Sequence, residues 1–133
     1  MANRGELLEK LAAESDVGLR TCLEYREGAM KFLYQREGID EDIARDRARR
    51  LQELYRAESN LADKGGLTGD GALRGSVHYF EDLLVLTLPA DDDPTFGFSV
   101  SVDIGSDLTG FLDDCRETLF DESALDGDLG GVG

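Results

Sequence analysis

Ser76 and His78 stand two residues apart in an extended segment, a spacing that turns both side chains to one face of a strand. A serine beside an imidazole is two-thirds of a nucleophilic triad, in which the histidine takes the serine's proton. The third part is missing: no carboxylate is spaced to orient the ring, and no Gly-x-Ser-x-Gly elbow surrounds Ser76. A lone histidine in this setting reads as a structural residue of a sheet, and the chain is not expected to be an enzyme. Cys22, Cys115 and His78 are the only thiols and imidazole available, too few to complete a tetrahedral zinc site. Cys115 falls on the apolar stripe of a helix, as a small buried hydrophobe would. The run Gly65-Gly66-Leu67-Thr68-Gly69-Asp70-Gly71 has the glycine density of a phosphate loop. It lacks the closing Gly-Lys-Ser/Thr and leads from a helix into a strand, the reverse of the required order, so it reads as a flexible connector. Asp91, Asp92 and Asp93 bring three carboxylates into one loop, but neither the spacing nor the bidentate Glu of an EF-hand follows. That loop reads as solvated. The sequence implies no cofactor and no metal.

The charges say more than these fragments do. Eleven of fourteen bases are Arg and three are Lys (Lys10, Lys31 and Lys64), against twenty-nine acids, seventeen of them Asp, for a net charge of -15. Lys carries a long apolar stem, whereas Asp is short, strongly hydrated and covers almost no apolar surface. Such a surface suits molar salt, where the Debye length shrinks to about 3 Å and self-repulsion is largely screened. The composition reads as that of a cytoplasmic protein of a salt-accumulating halophile. The acid is unevenly spread: residues 1–80 hold fifteen acids and thirteen bases, while fourteen acids from Glu81 onward face Arg116 alone, net -13. The acidic half reads as solvated faces, with docking of a basic partner as the sharper alternative. Direct nucleic-acid binding is not expected, because no basic stripe with interleaved aromatics exists to neutralise phosphates. Membrane binding is disfavoured on the same ground. No apolar run approaches the ~20 residues of a spanning helix, and Met1-Ala-Asn-Arg-Gly-Glu does not read as a signal peptide.

The length fits one domain, placed at residues 1–120. Residues 121–133 are too polar and glycine-rich to pack and read as a disordered acidic tail. Leu7, Leu8, Leu11 and Ala12 predict a helix over residues 4–15. Leu19, Thr21, Leu23 and Tyr25, then Met30, Phe32 and Tyr34, alternate as two strands joined at Glu27-Gly28. Asp40 can cap a long helix with Ile43, Ala44, Ala48, Leu51, Leu54, Tyr55 and Leu61 as one apolar stripe, longer than one small sheet needs, and Arg45, Arg49 and Arg56 on the other face. Ser76–Phe80 and Leu83–Leu88 read as a second hairpin, the latter a central strand covered on both faces. Phe96, Phe98, Val100 and Val102 alternate with Gly97, Ser99 and Ser101. Their small face admits close approach of a helix, a ligand or another chain. Asp107 can cap a last helix with Leu108, Phe111, Leu112, Cys115 and Leu119 on its stripe.

The order helix, two strands, helix, three strands, helix predicts an α+β fold, a single five-stranded antiparallel sheet with helices. Over roughly residues 4–120 this order resembles the roadblock/LC7 fold, a relative of profilin-like and PAS-like sheets. The segments Leu19-Arg-Thr-Cys-Leu-Glu-Tyr-Arg, Phe32-Leu-Tyr-Gln-Arg-Glu and Tyr79-Phe-Glu-Asp-Leu-Leu-Val-Leu resemble a family of small uncharacterised haloarchaeal proteins. The roadblock likeness implies a homodimer built through the long helix and the strand after it, acting as a scaffold or as a regulator of a small GTPase. The expected interface comprises Arg45, Arg49, Leu51, Leu54, Tyr55 and Arg56, with arginines meeting carboxylates of a second subunit. A PAS-like small-ligand sensor is the alternative, with Gly97, Ser99 and Ser101 as the floor of its groove.

Overall fold

The Asn3 side chain accepts a hydrogen bond from the Glu6 amide at 2.8 Å and caps the first helix, α1 (Arg4–Glu14). The computed structural model describes residues 3–64, 69, 73–91, 93 and 95–120. Most of the glycine run after the long helix, Asp92, the side chain of Leu61 and the expected tail at 121–133 lie outside the described residues.

Strand β1 (Leu19–Arg26) turns into β2 (Ala29–Gln35) through Glu27 and Gly28, with φ of 50° and 89°. Two consecutive positive φ values match the right-handed twist of the flanking strands, and Arg26 pairs directly with Ala29. Asp40 Oδ1 accepts from the Ile43 amide at 3.0 Å, so α2 (Glu41–Lys64) starts at the expected cap, with Glu41 and Asp42 in its first turn. Strands β3 (Ser76–Tyr79), β4 (Leu83–Pro89) and β5 (Phe96–Asp103) follow, then α3 (Phe111–Phe120). Helix α3 begins later than the apolar pattern suggests. Asp107 instead accepts from the Thr109 amide at 2.9 Å, and Gly110 at φ 76° separates that turn from the helix.

All neighbouring strands are antiparallel, in the order β2-β1-β5-β4-β3. The continuous apolar run of β4 is buried from Val85 onward, yet β5, not β4, occupies the centre. On one face, Leu8 and Ala12 of α1 and Phe111, Cys115 and Leu119 of α3 pack on Leu19, Cys22, Leu86, Leu88, Phe98, Val100 and Val102. Phe96, Phe98 and Phe120 meet edge to face there, with centroids 5.0–5.9 Å apart. Fully burying each large apolar side chain contributes about 1.5–3 kcal/mol, which makes this layer the main source of stability.

The other face carries α2, which touches β1 and β4 and so crosses β5 between them. Ala44, Ala48, Leu51 and Tyr55 are buried on the helix, and the strands offer Thr21, Leu23, Tyr25, Val85, Thr87, Ser99 and Ser101. This second layer is small and polar by comparison. Gly97 lies at its margin, where a Cβ would stand 2.5 Å from both the Leu88 carbonyl oxygen and Tyr25 Oη. A side chain there would have to displace backbone.

Candidate functional site

Most of the exposed large hydrophobic side chains among the described residues lie on the outer side of α2 or at β3. Ile43 and Leu54, members of the helix's apolar stripe, project outward and are 62% and 46% exposed. The reason is width: Ala44, Ala48, Leu51, Gln52 and Tyr55 already fill the narrow seam over the sheet, with Gln52 taking the place that the pattern gives to Leu54. Leu51 and Tyr55, expected at an interface, are therefore buried against the chain's own sheet, and Tyr55 Oη donates to the Leu73 carbonyl at 2.9 Å. Arg45 donates to Glu41 at 2.9 Å and lies over the Phe32 ring at 5.3 Å. Arg49 and Arg56 are exposed, as expected of the outer face.

Among the described residues, strand β3 pairs only with β4, so its other edge presents backbone donors and acceptors that no described strand takes. Val77, Tyr79 and the adjacent Phe80 are exposed beside it, Tyr79 at 79%. The other edge strand, β2, carries Lys31, a charge that blunts pairing; Ser76–Tyr79 holds no Lys, Arg, Asp or Glu. His78 Nε2 sits 3.5 Å from Glu58 Oε1 and so ties β3 to α2. Ser76 and His78 do share a face of the strand, as their spacing predicts, but they do not form a nucleophilic pair. Ser76 Oγ and His78 Nδ1 are buried and have no hydrogen-bond partner among the described residues, so the serine does not donate to the ring.

The remaining candidates resolve into structural roles. Cys22 and Cys115 are free thiols inside the apolar layer. Burial pushes the Cys22 thiol well up and the Cys115 thiol to about 12, so neither is a ready thiolate. No three His, Cys, Asp or Glu side chains come together as a metal site among the described residues. In the acidic loop, Asp93 accepts from the Thr95 amide at 3.0 Å, and Asp91 takes Arg116 at 2.6 Å and Arg74 at 3.3 Å. Burial works to raise the Asp91 carboxyl, but the Arg74 hydrogen bond and the two guanidinium charges outweigh it and hold it below the usual range. Arg116, the one base of the acidic half, also donates to the carbonyls of Pro89 at 2.8 Å and Arg74 at 3.1 Å. It thereby joins α3 to the ends of β3 and β4.

Beside this junction lies a cavity of about 320 Å³, with Val77, Leu88 and Leu112 as its apolar wall and Arg74 and Arg116 at its rim. The expected groove residues do not line it. Gly97 is buried, Ser99 and Ser101 are 4% and 1% exposed, and the Ser101 hydroxyl is hydrogen-bonded to that of Thr21 at 2.5 Å on the α2 side of the sheet. No helix among the described residues is long and apolar enough to cross a membrane. The edge position of β3 was not visible in the sequence, because strand order, not local pattern, decides which strand lacks a neighbour.

Over residues 5–120 the sequence matches the family described as Domain of unknown function (DUF7522), and the chain belongs to that family. Among solved structures it is similar to the Roadblock/LC7 domain from Streptomyces avermitilis, with a TM-score of 0.62 and 17% sequence identity. The likeness covers 89% of this chain and 92% of that one. At such identity it is a likeness of fold. No curated protein matches the chain.

Proposed function

We propose that this member of the family is a non-catalytic homodimeric interaction module of a halophile's cytoplasm, a scaffold or a regulator of a small GTPase. The observation that carries the reading is the uncharged edge of β3, unpaired among the described residues, with Val77, Tyr79 and Phe80 exposed at it. An edge of this kind in a chain so rich in charge is a template for another strand. Four residues add few hydrogen bonds, each contributing only about 0.5–1.5 kcal/mol net. The outer side of α2, with Ile43, Leu54, Arg49 and Arg56, is the natural second part of the interface, because Glu58 and His78 already hold helix and strand together.

Several features support an interaction role over chemistry or ligand sensing. The serine and histidine are not paired, and both thiols are buried and protonated. The small residues of β5 are covered within the monomer, which removes the floor of the groove that a sensor would need. Roadblock/LC7 architecture, shared at the level of fold, accords with a scaffold or GTPase regulator. The test is the mass in solution by light scattering at about 2 M KCl, where repulsion beyond about 3 Å is screened. A dimer supports the reading, and a monomer at all concentrations overturns it.

A further inference from the structure

The edge of β3 carries both an exposed aromatic ring and a cavity with room for one, on the same face of the sheet. Phe80 donates its amide to the Leu83 carbonyl at 2.9 Å, closing the turn between β3 and β4. The register then runs Tyr79 to Leu84, His78 to Val85, Val77 to Leu86 and Ser76 to Thr87. In an antiparallel pair, residues bonded to the neighbour alternate with residues whose backbone groups point away from it. Counted from Phe80, His78 and Ser76 bond to β4, and Tyr79 and Val77 turn their N–H and C=O to the edge that no described strand takes. The side chains of Tyr79 and Val77 stand with Leu84 and Leu86 on the face covered by α1 and α3. His78 meets Glu58 of α2 on the other face.

The cavity of about 320 Å³ lies on that first face, between Val77 and Leu88 of the sheet and Leu112 and Arg116 of α3. Gly75 lines it and brings no side chain to it; a Cβ there would stand 2.9 Å from the Thr87 carbonyl oxygen and 3.3 Å from Leu88 Cδ2. An apolar cavity of about 150 Å³ already accepts a benzene ring. Four residues along the same edge, the Tyr79 ring is 79% exposed. Ring and cavity are thus placed evenly on either side of Val77, the arrangement that lets one surface fit a second copy of itself. A two-fold axis through Val77, perpendicular to the sheet, pairs residue 77 with its counterpart and sets residue 79 opposite residue 75.

We propose that two copies join edge to edge about Val77, and that Tyr79 of each fills the cavity beside Gly75 of the other. This rests on the homodimer reading above and deepens it, since each cavity is completed by a side chain from the second chain. The charges agree with a second copy as the occupant. Antiparallel pairing brings Arg74, at one end of the edge, beside Glu81 and Asp82 at the far end of the other copy's edge, and all three are exposed. A parallel copy would set Arg74 beside Arg74. Pairing about His78 instead would set the two histidines directly opposite and put Tyr79 against Val77, leaving the cavity empty. Arg74 and Arg116 stand at the rim, where a guanidinium beside the ring adds a cation–π contact.

Cross-linking through introduced cysteines, with sedimentation equilibrium of the full chain at about 2 M KCl, tests the pairing. Directly opposite residues of a hydrogen-bonded antiparallel pair have Cα atoms about 5.5 Å apart, within disulfide reach. Val77→Cys should therefore give a covalent dimer on mild oxidation, whereas His78→Cys, whose counterpart stands diagonally, should not. Cys22 and Cys115 are buried, and the wild type serves as the blank. Tyr79→Ala should raise the dissociation constant of the dimer about thirtyfold or more, and Tyr79→Phe, which keeps the ring, should stay within about threefold of wild type. Far-ultraviolet circular dichroism checks that each variant is folded. A dimeric wild type with equal affinity in folded Tyr79→Ala, or with cross-linking in His78→Cys and not in Val77→Cys, overturns this inference and leaves the homodimer standing. A wild type that sediments as a single chain overturns both, and leaves the edge to a strand of another protein.

Discussion

Asp103 shows how single residues hold this molecule together despite its charge. Its carboxylate joins the end of β5 to β1 through Arg20 and to the segment after β2 through Arg36. The Arg36 hydrogen bond, then its charge and the bond and charge of Arg20, outweigh partial burial and hold the Asp103 carboxyl below the usual carboxylate range. A depressed folded-state value means that the stabilisation is fully present above the unfolded-state value of about 3.9 and disappears as pH falls through the folded one. Asp103→Asn should therefore lower stability near neutral pH, by no more than about 1 kcal/mol for so solvated a pair. The difference from wild type should close as pH is taken below about 4; denaturant melts across pH 2–7 check it, and a difference that persists unchanged at the lowest pH would contradict the assignment. None of this pairing was legible in the sequence. Asp103 and its partners are separated by 67 and 83 positions, and such contacts are set by strand order. The burial of Cys115, by contrast, was readable from its apolar neighbours, whereas the free state of the two thiols was not.

At the scale of elements, the two faces of the sheet differ in kind. The layer under α1 and α3 is apolar and rich in rings, whereas α2 rests on Thr21, Thr87, Ser99 and Ser101. Small residues let the long helix come close, but they give it little apolar area to bury. Ser99→Leu inserts about three carbons under α2 and should cost on the order of 1–3 kcal/mol by overpacking. The midpoint of a urea melt measures it; an unchanged midpoint would mean that α2 does not cover β5. Periodicity found the strands, the long helix and the small face of β5, because alternation and the 3.6 repeat are local properties. It grouped Ile43 and Leu54 with the buried residues of α2, because periodicity locates an apolar stripe without saying how wide a seam the sheet can offer. It also began α3 too early, where Gly110 interrupts the chain.

The whole molecule carries its imbalance of charge mainly after residue 80, where fourteen acids meet Arg116 alone. The described acids of that half that are paired, Asp91 and Asp103, are held by arginines, so much of the excess remains for solvent and salt to screen. The thermal midpoint should rise steeply from about 0.1 M to about 2 M KCl, as the screening length falls from about 10 Å to below 3 Å. A flat profile would contradict the halophilic reading. Assembly is the larger claim, since a short free edge and a half-apolar helix gain a purpose only from a second chain. Sedimentation equilibrium of the wild type and of a Leu54→Glu/Tyr79→Glu variant, both at about 2 M KCl, addresses it most directly. We expect twice the mass of one chain for the wild type and a folded single chain for the variant. A wild type that sediments as a single chain, or a variant that stays dimeric, would contradict the proposed interface.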